Sequence, residues 1–327
     1  MIKRVIRATL LPCLLFAAFT ASGASDTSQK LSGPLTLVVG YAPGGATDRA
    51  ARIVAENLQD KLGVAVLVEN KTGAGGRIAA QQVKNAGPDE NVLLLGNPAV
   101  MVVAPLVFED LSYDPEKDFQ PVSMVTAYGF GVAVSADSPI KNMQGLVDWA
   151  RTHPAQFNIG VPATGSLPHF FGLMLTNQIG VKGEVVGYRG SAPLITDLIG
   201  GTVPVGIDTL DVLGRQHQGQ RIRILASSGQ AREAALPDVP TFEQAGIDLH
   251  ASGWNTFFAA SSMPRAKAEM LGEAIKSVTS DPAVHQKLID GDLIPVSANA
   301  AETGKLVEQF RAQWAPVVEA SGFVVTK

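Results

Sequence analysis

Between residues 40 and 49 the chain reads Gly-Tyr-Ala-Pro-Gly-Gly-Ala-Thr-Asp-Arg, residue types suited to holding a small anion. Glycines without Cβ let a ligand approach the main chain, and the free N–H groups opening the next helix add the positive end of its dipole. Nucleophilic chemistry would instead need a hydroxyl beside a base. Ser166 and His169 are the available pair, three residues apart across Pro168, with no third group identifiable to orient them. Other catalytic signatures are missing: there is no G-x-S-x-G, G-x-x-x-x-G-K-[ST] or H-E-x-x-H, and His153, His169, His217, His250 and His285 never fall four apart. Residues 43–48 do not supply the G-x-G-x-x-G of a dinucleotide fold either. Anion capture without bond-making is the main reading, and a secreted serine hydrolase using Ser166 and His169 is the alternative.

An anion loop of this kind needs a strand that delivers it and a helix that leaves from it. Residues 35–39 read as the buried strand, and the helical pattern starts at Arg49. Strand-like runs follow at 64–68, 92–95, 157–160, 184–187, 203–207 and 222–225. Helix-like runs lie between them at 77–85, 142–152, 169–179 and 192–199, with a short helix between the last two strands. This rhythm predicts an α/β fold of mostly parallel sheets flanked by helices. Residues 122–125 and 130–134 form a longer extended stretch, 254–260 one more strand, and helices are expected at 264–278, 282–290 and 300–319.

The turns that follow strands come in two sets. One is early, at 43–48, 72–76 and 96–98, and one lies mid-chain, at 162–169, 188–193 and 208–211. Open parallel sheets bind ligands beyond the carboxyl ends of their strands. Two facing sets would therefore enclose a cleft, with the extended stretches near 122–134 and 250–260 crossing between lobes as a hinge. The expected first lobe is 31–126 with 254–327, and the second is 127–253.

Lys3, Arg4 and Arg7 precede an apolar run that ends in Ala21, Ser22, Gly23 and Ala24, the pattern of a secretory signal peptide over residues 1–24. No other segment approaches the roughly 18 to 20 apolar residues of a membrane helix. Cys13 is the single cysteine, so cleavage after Ala24 leaves no thiol for a disulfide or a metal. Cleavage also changes 26 basic against 30 acidic residues to 23 against 30, a mildly acidic balance without basic runs that argues against nucleic acid. The expectation is an exported, soluble protein with no cofactor and no metal, in which local main-chain dipoles hold the anion.

Five blocks match something more specific. They are Tyr41-Ala-Pro-Gly-Gly-Ala-Thr-Asp48, Val68-Glu-Asn-Lys-Thr-Gly-Ala-Gly-Gly76, Tyr113-Asp-Pro-Glu-Lys-Asp-Phe-Gln-Pro-Val122, Gly187-Tyr-Arg-Gly-Ser-Ala-Pro193 and Leu236-Pro-Asp-Val-Pro-Thr241. In order and spacing they resemble the periplasmic solute-binding proteins of tripartite tricarboxylate transporters, the Bug-type receptors, over essentially the whole mature chain. The resemblance implies a two-lobed Venus-flytrap receptor that binds a small carboxylate and delivers it to the membrane permease subunits. It implies no chemistry on the ligand, and a monomer is expected because capture receptors work alone.

The same resemblance implies where the ligand sits. Tyr41, Pro43, Gly44, Gly45, Ala46, Thr47 and Asp48 match the loop whose backbone, with bound water, holds a carboxylate; there Thr47 would donate a hydroxyl. Gly96 and Asn97 match a small polar turn beside the pocket. Gly165, Ser166 and His169 match a G-S-x-x-H block, Arg189 with Ser191, Ala192 and Pro193 the block ending G-S-A-P, and Asp208 an acidic residue at a strand end. Asn97-Pro98, Leu167-Pro168 and Arg189 depart from the commoner residues, which bears on ligand identity. Each position also has an ordinary structural reading. Asp48 suits a helix N-cap worth ~1 kcal/mol, Ser191 another with Pro193 in the first turn, and His169 a helix that continues through Phe170 and Phe171. A carboxylate repels an anion, so Asp208 beside a ligand would call for an ammonium, a hydroxyl or water.

Overall fold

The computed structural model describes residues 31–324, and the signal-peptide reading of residues 1–24 lies outside the described residues. Leu35–Val39 (β1) is buried except at Thr36, as a strand covered by helices on both faces must be. Ala46–Leu62 (α1), Val66–Asn70 (β2), Arg77–Lys84 (α2) and Val92–Gly96 (β3) follow. β1 pairs in parallel with β2 on one side and β3 on the other. A π-helical turn at Ala99–Val103 and Ala104–Val107 (α3) lead into Phe119–Ser135 (β4). Next come Met143–Thr152 (α4), Asn158–Val161 (β5), Leu167–Ile179 (α5), Glu184–Gly187 (β6), Ser191–Ile199 (α6), Val205–Thr209 (β7) and Leu210–Gln218 (α7). The chain closes with Ile222–Ser227 (β8), Ser252–Ala260 (β9), Arg265–Thr279 (α8), Pro282–Asp290 (α9), Ile294–Pro295 (β10) and Ala300–Ala320 (α10).

β4 sets the orientation of everything else. Its residues 119–129 pair antiparallel with β9, which is itself antiparallel to β3. Two reversals therefore run β1, β2 and β3 in the direction of β4. Residues 130–135 of β4 pair antiparallel with β7 and β8, and β5 and β6 are parallel to β7. That single reversal runs the second parallel group against β4. The carboxyl ends of the two groups thus point toward one another along β4, which is the periplasmic-binding-protein architecture.

The two extended stretches expected at 122–125 and 130–134 are in fact one strand of 17 residues. Ala127, Tyr128 and Gly129 stay extended because they pair with Trp254, Gly253 and Ser252 of β9. Register shifts at Pro121/Ser123 and Met124/Thr126 absorb the missing Pro121 donor and add local twist. The partner changes between Gly129 and Phe130. There the buried Ser228 hydroxyl accepts from Phe130 N at 2.8 Å and donates to Ala251 O at 2.5 Å, joining the two crossing strands.

Burial follows this plan. α1 and α8 cover one face of the first group, placing Val54, Leu58, Leu271 and Ile275 with Leu37, Val39 and Phe257. α6 and α7 cover Ala133 and Ile224 through Leu194, Leu198 and Leu213. α10 runs over the opposite face of both groups: Phe310 meets Trp254, and the fully buried Trp314 meets Phe130.

Candidate functional site

The loop after β1 needs glycine at one position. Gly44 has φ +86°, a left-handed conformation that costs side-chain-bearing residues energy. Gly45 is extended, with φ −73°, and caps α1 without any side-chain hydrogen bond. α1 starts at Ala46, three residues before the helical pattern suggests, so Thr47 and Asp48 lie in its first turn. The N–H groups of Ala46, Thr47 and Asp48 precede the first intrahelical bond, which Arg49 N makes to Gly45 O at 2.9 Å.

Asp48 is not the N-cap expected of it. From the third helical position it reaches back, accepting at Oδ2 from Gly44 N (2.8 Å) and Arg52 Nε (2.9 Å) and at Oδ1 from Asn70 Nδ2 (2.8 Å). Asn70 Nδ2 also donates to Tyr41 O at 3.0 Å, and Arg49 Nη1 to Gly44 O at 2.9 Å. Burial disfavours the Asp48 anion, yet the donors Arg52, Gly44 and Asn70 outweigh it and hold the carboxyl below its ordinary pKa. The carboxylate is thus a brace inside the loop.

Thr47 is tied inward as well. Its hydroxyl donates to Asn255 Oδ1 at 3.0 Å, and Asn255 Nδ2 donates to Thr126 Oγ1 at 2.9 Å. The Thr47 proton is therefore spent on a crossing strand, leaving only lone pairs for a ligand. Asn97 Nδ2 donates to Tyr41 Oη at 2.8 Å, and Tyr41 Oη donates to Gly75 O at 3.4 Å. Burial pushes the Tyr41 hydroxyl pKa up. Gly96 is buried where a Cβ would stand 3.1 Å from Met101 and Phe258, so close packing accounts for this glycine.

At the second group, the loops after β5 and β6 are joined by Tyr188 N to Val161 O and Gly190 N to Pro162 O, both at 2.8 Å. Ser166 is the N-cap of α5, accepting from His169 N at 3.3 Å and donating to Ala163 O at 2.7 Å. The His169 ring accepts at Nδ1 from Gly165 N at 3.2 Å, and burial lowers its pKa. The Ser166 proton and the His169 ring thus point to different partners, and the nucleophile–base pair of the alternative hydrolase reading does not form. Gly165 has φ +77° and lies under Phe323, whose ring would meet a Cβ at 2.6 Å.

Ser191 is not a cap either. Gly190 (φ +110°) caps α6 with no side-chain bond and Ser191 is the first helical residue, so the N–H groups of Ser191 and Ala192 stay open while Pro193 has none. Arg189 is exposed and joins no ion pair among the described residues. Asp208, 2% exposed at the end of β7, is raised by burial to about 6.

The glycine-led starts of α1 and α6 therefore sit at the carboxyl ends of strand groups that point toward each other. A family model described as tripartite tricarboxylate transporter family receptor matches residues 50–323. The chain belongs to this family. It is 33% identical to a UPF0065 protein of Bordetella bronchiseptica, over 98% of this chain and 94% of that one. Among solved structures it is similar to the periplasmic binding protein BugD, with TM-score 0.73, 28% identity and coverage of 89% and 98%. It is also similar to an R. palustris protein solved with adipate, with TM-score 0.77, 28% identity and coverage of 89% and 98%. The chain is accordingly a solute receptor of the tricarboxylate-type transport systems.

The receptor has a cavity of about 240 Å³ beside the crossing, lined among others by Tyr128, Leu210, Leu236 and Ile294. Of the candidate loops it touches only the 208–211 turn, through Leu210 and Asp211, and neither helix start. Its charged walls are Asp211, Glu233 and Asp292 against Arg215, a balance that repels an acid, so the open amides are the better anion site. Sequence reasoning missed Arg49, Arg52, Asn70 and Asn255 as the framework of the first loop. Asp48 and Arg52 at helical i, i+4 spacing were the readable signal; Asn255, 208 residues from Thr47, left none.

Among the described residues, no helix is long and apolar enough to cross a membrane, and no group of His, Cys, Asp and Glu is placed to hold a metal ion.

Proposed function

We propose that this receptor captures one small organic carboxylate between the open amides at the start of α1 and those at the start of α6. The single observation that carries the reading is that both helices begin at bare glycines, at strand ends that face each other. Each helix start presents two or three N–H groups and the positive end of a dipole, a ready anion site. Adipate in the R. palustris relative supports a carboxylate as the ligand class.

The first lobe, 31–126 with 254–327, and the second, 127–253, close on the ligand about β4 and β9. Residues 1–24 direct export to the periplasm, where the loaded receptor, a monomer, meets the permease subunits. Neither bond making nor bond breaking is involved. The Ser166–His169 hydrolase reading loses support because Ser166 gives its proton to Ala163 O.

The test is a thermal-shift screen of the purified mature chain against mono-, di- and tricarboxylates, aromatic acids and acidic amino acids. A ligand at 100 times its Kd stabilises the folded state by about 2.7 kcal/mol, a readily measured rise in Tm. No stabilisation by any class would contradict capture.

A further inference from the structure

Asp208 is a buried carboxylate with unfinished hydrogen bonding. Oδ1 accepts from Thr209 N at 2.8 Å, while Oδ2 is inaccessible and has no hydrogen-bond partner. Buried polar atoms are rarely left this way. Its strand register shows where it lies. Asp208 is opposite Gly131, and Gly206 opposite Ala133. A Cβ on Gly131 would meet Leu210 and Leu213 of α7, and one on Gly206 would meet Leu198 of α6. Residues two apart on a strand share a face, so Asp208 lies on the α6 and α7 side at the carboxyl end of β7. The half-buried Ser191, first residue of α6, brings its hydroxyl close enough to stabilise the Asp208 anion, though not at the geometry of a hydrogen bond to Oδ2.

We propose that Asp208 is a positioning residue: the Ser191 side chain rotates so that its hydroxyl donates a hydrogen bond to Oδ2, Ser191 turns a lone pair to the cleft, and the receptor selects acids carrying a hydrogen-bond donor beside the carboxylate. The inference rests on the capture reading above. A hydroxyl has one proton and two lone pairs; with its one O–H donated in a hydrogen bond to Asp208, only acceptors face the ligand. The Ser191 and Ala192 amides hold the ligand carboxylate. Because the amide and the hydroxyl of Ser191 belong to one residue, the donor they read sits on the carbon next to that carboxylate. The ligand class is a 2-hydroxy or 2-amino acid.

The charges around Asp208 agree with this role. Asp211 of α7 faces it and adds repulsion, Ser191 of α6 and Thr209 favour the anion, and β4 offers only Gly131 opposite it. Asp197 of α6 is engaged by Tyr188 Oη at 2.9 Å. Burial, the largest influence, raises Asp208 to about 6. Below that pH the protonated carboxyl donates to Ser191 Oγ, which frees the serine proton for a plain carboxylate oxygen.

The experiment is calorimetric titration of the mature chain with matched acids: succinate, malate and aspartate; glutarate, 2-hydroxyglutarate and glutamate; adipate, 2-hydroxyadipate and 2-aminoadipate. At pH 7.5 the donor-bearing member of a binding set should be about tenfold tighter than the plain acid, one hydrogen bond's worth. The hydroxy and amino arms identify which donor is read. The preference should shrink at pH 5. It should vanish or reverse in Asp208→Asn, whose amide donates to Ser191, and vanish in Ser191→Ala, the second variant should the first not fold. Equal affinity for plain and donor-bearing acids in the wild type overturns the inference while leaving capture intact. So does a preference that is unchanged in a folded Asp208→Asn or Ser191→Ala. Binding by no acid at all overturns the capture reading and this inference with it.

Discussion

Replacing Asp48 by alanine removes three hydrogen bonds from one buried group, those from Gly44 N, Asn70 Nδ2 and Arg52 Nε. The Arg52 side chain is 52% exposed, so that ion pair adds little. The bonds from Gly44 and Asn70 go to a charged acceptor that is 2% exposed, and together they stabilise the fold by about 2–4 kcal/mol. For a chain of this size that is a fall in Tm of roughly 4–8 °C. Asp48→Asn should lose nearly as much, because its amide would point a donor at another donor. The loss should also depend on pH with a defined sign. The folded carboxyl is held below 3.8, so its contribution is complete above that value and disappears as the pH falls through the lower folded value. Scanning calorimetry of wild type and both variants from pH 7 to pH 2.5 should show the gap closing at the acid end. A Tm unchanged at pH 7, or a gap that stays constant to the lowest pH, would refute the bracing role.

Four further outcomes are expected. Gly44→Val should cost about 1–2 kcal/mol from its left-handed backbone, whereas Gly45→Ala stays within roughly 0.5 kcal/mol; urea denaturation distinguishes them, and equal losses would contradict the loop conformation. Ser228→Ala leaves Phe130 N and Ala251 O unpaired at the crossing and should cost about 2–4 kcal/mol; a loss under roughly 0.5 kcal/mol would remove its stapling role. Asp208 moves from 3.8 unfolded to about 6 folded, so stability falls as pH rises between them; Asp208→Asn should gain up to roughly 3 kcal/mol at pH 7 and nothing below pH 4. Ser166→Ala should lose ~1 kcal/mol of helix capping and leave any background hydrolysis of model esters unchanged; a fall in that rate would revive the hydrolase.

The β-then-α order was readable because strands covered on both faces are continuous apolar runs, as in Leu-Thr-Leu-Val-Val of β1 and Val-Leu-Leu-Leu-Gly of β3. The open loops at 43–48 and 188–193 were readable from their glycines. The caps were misread, because Asp48 and Ser191 are cap-forming types that a preceding glycine displaced into the first turn. β4 looked like two strands because the small residues around Tyr128 are held extended by β9 and, at Ala127, by β10, both more than 120 residues away in sequence. The β-branched run Ala99–Val103 is helical against its propensity, a case of packing overriding local preference. Phe323 over Gly165 joins distant parts of the chain, and no local pattern announces it.

Hydrogen–deuterium exchange of the mature chain, with and without its tightest-binding acid, tests the shared grip most directly. If one acid bridges both helix starts, exchange slows together at the amides of residues 45–48 and of 191–192 when that acid is added. Protection of only one of these segments, or of residues 127–129 and 293–295 beside the cavity instead, would contradict capture between them.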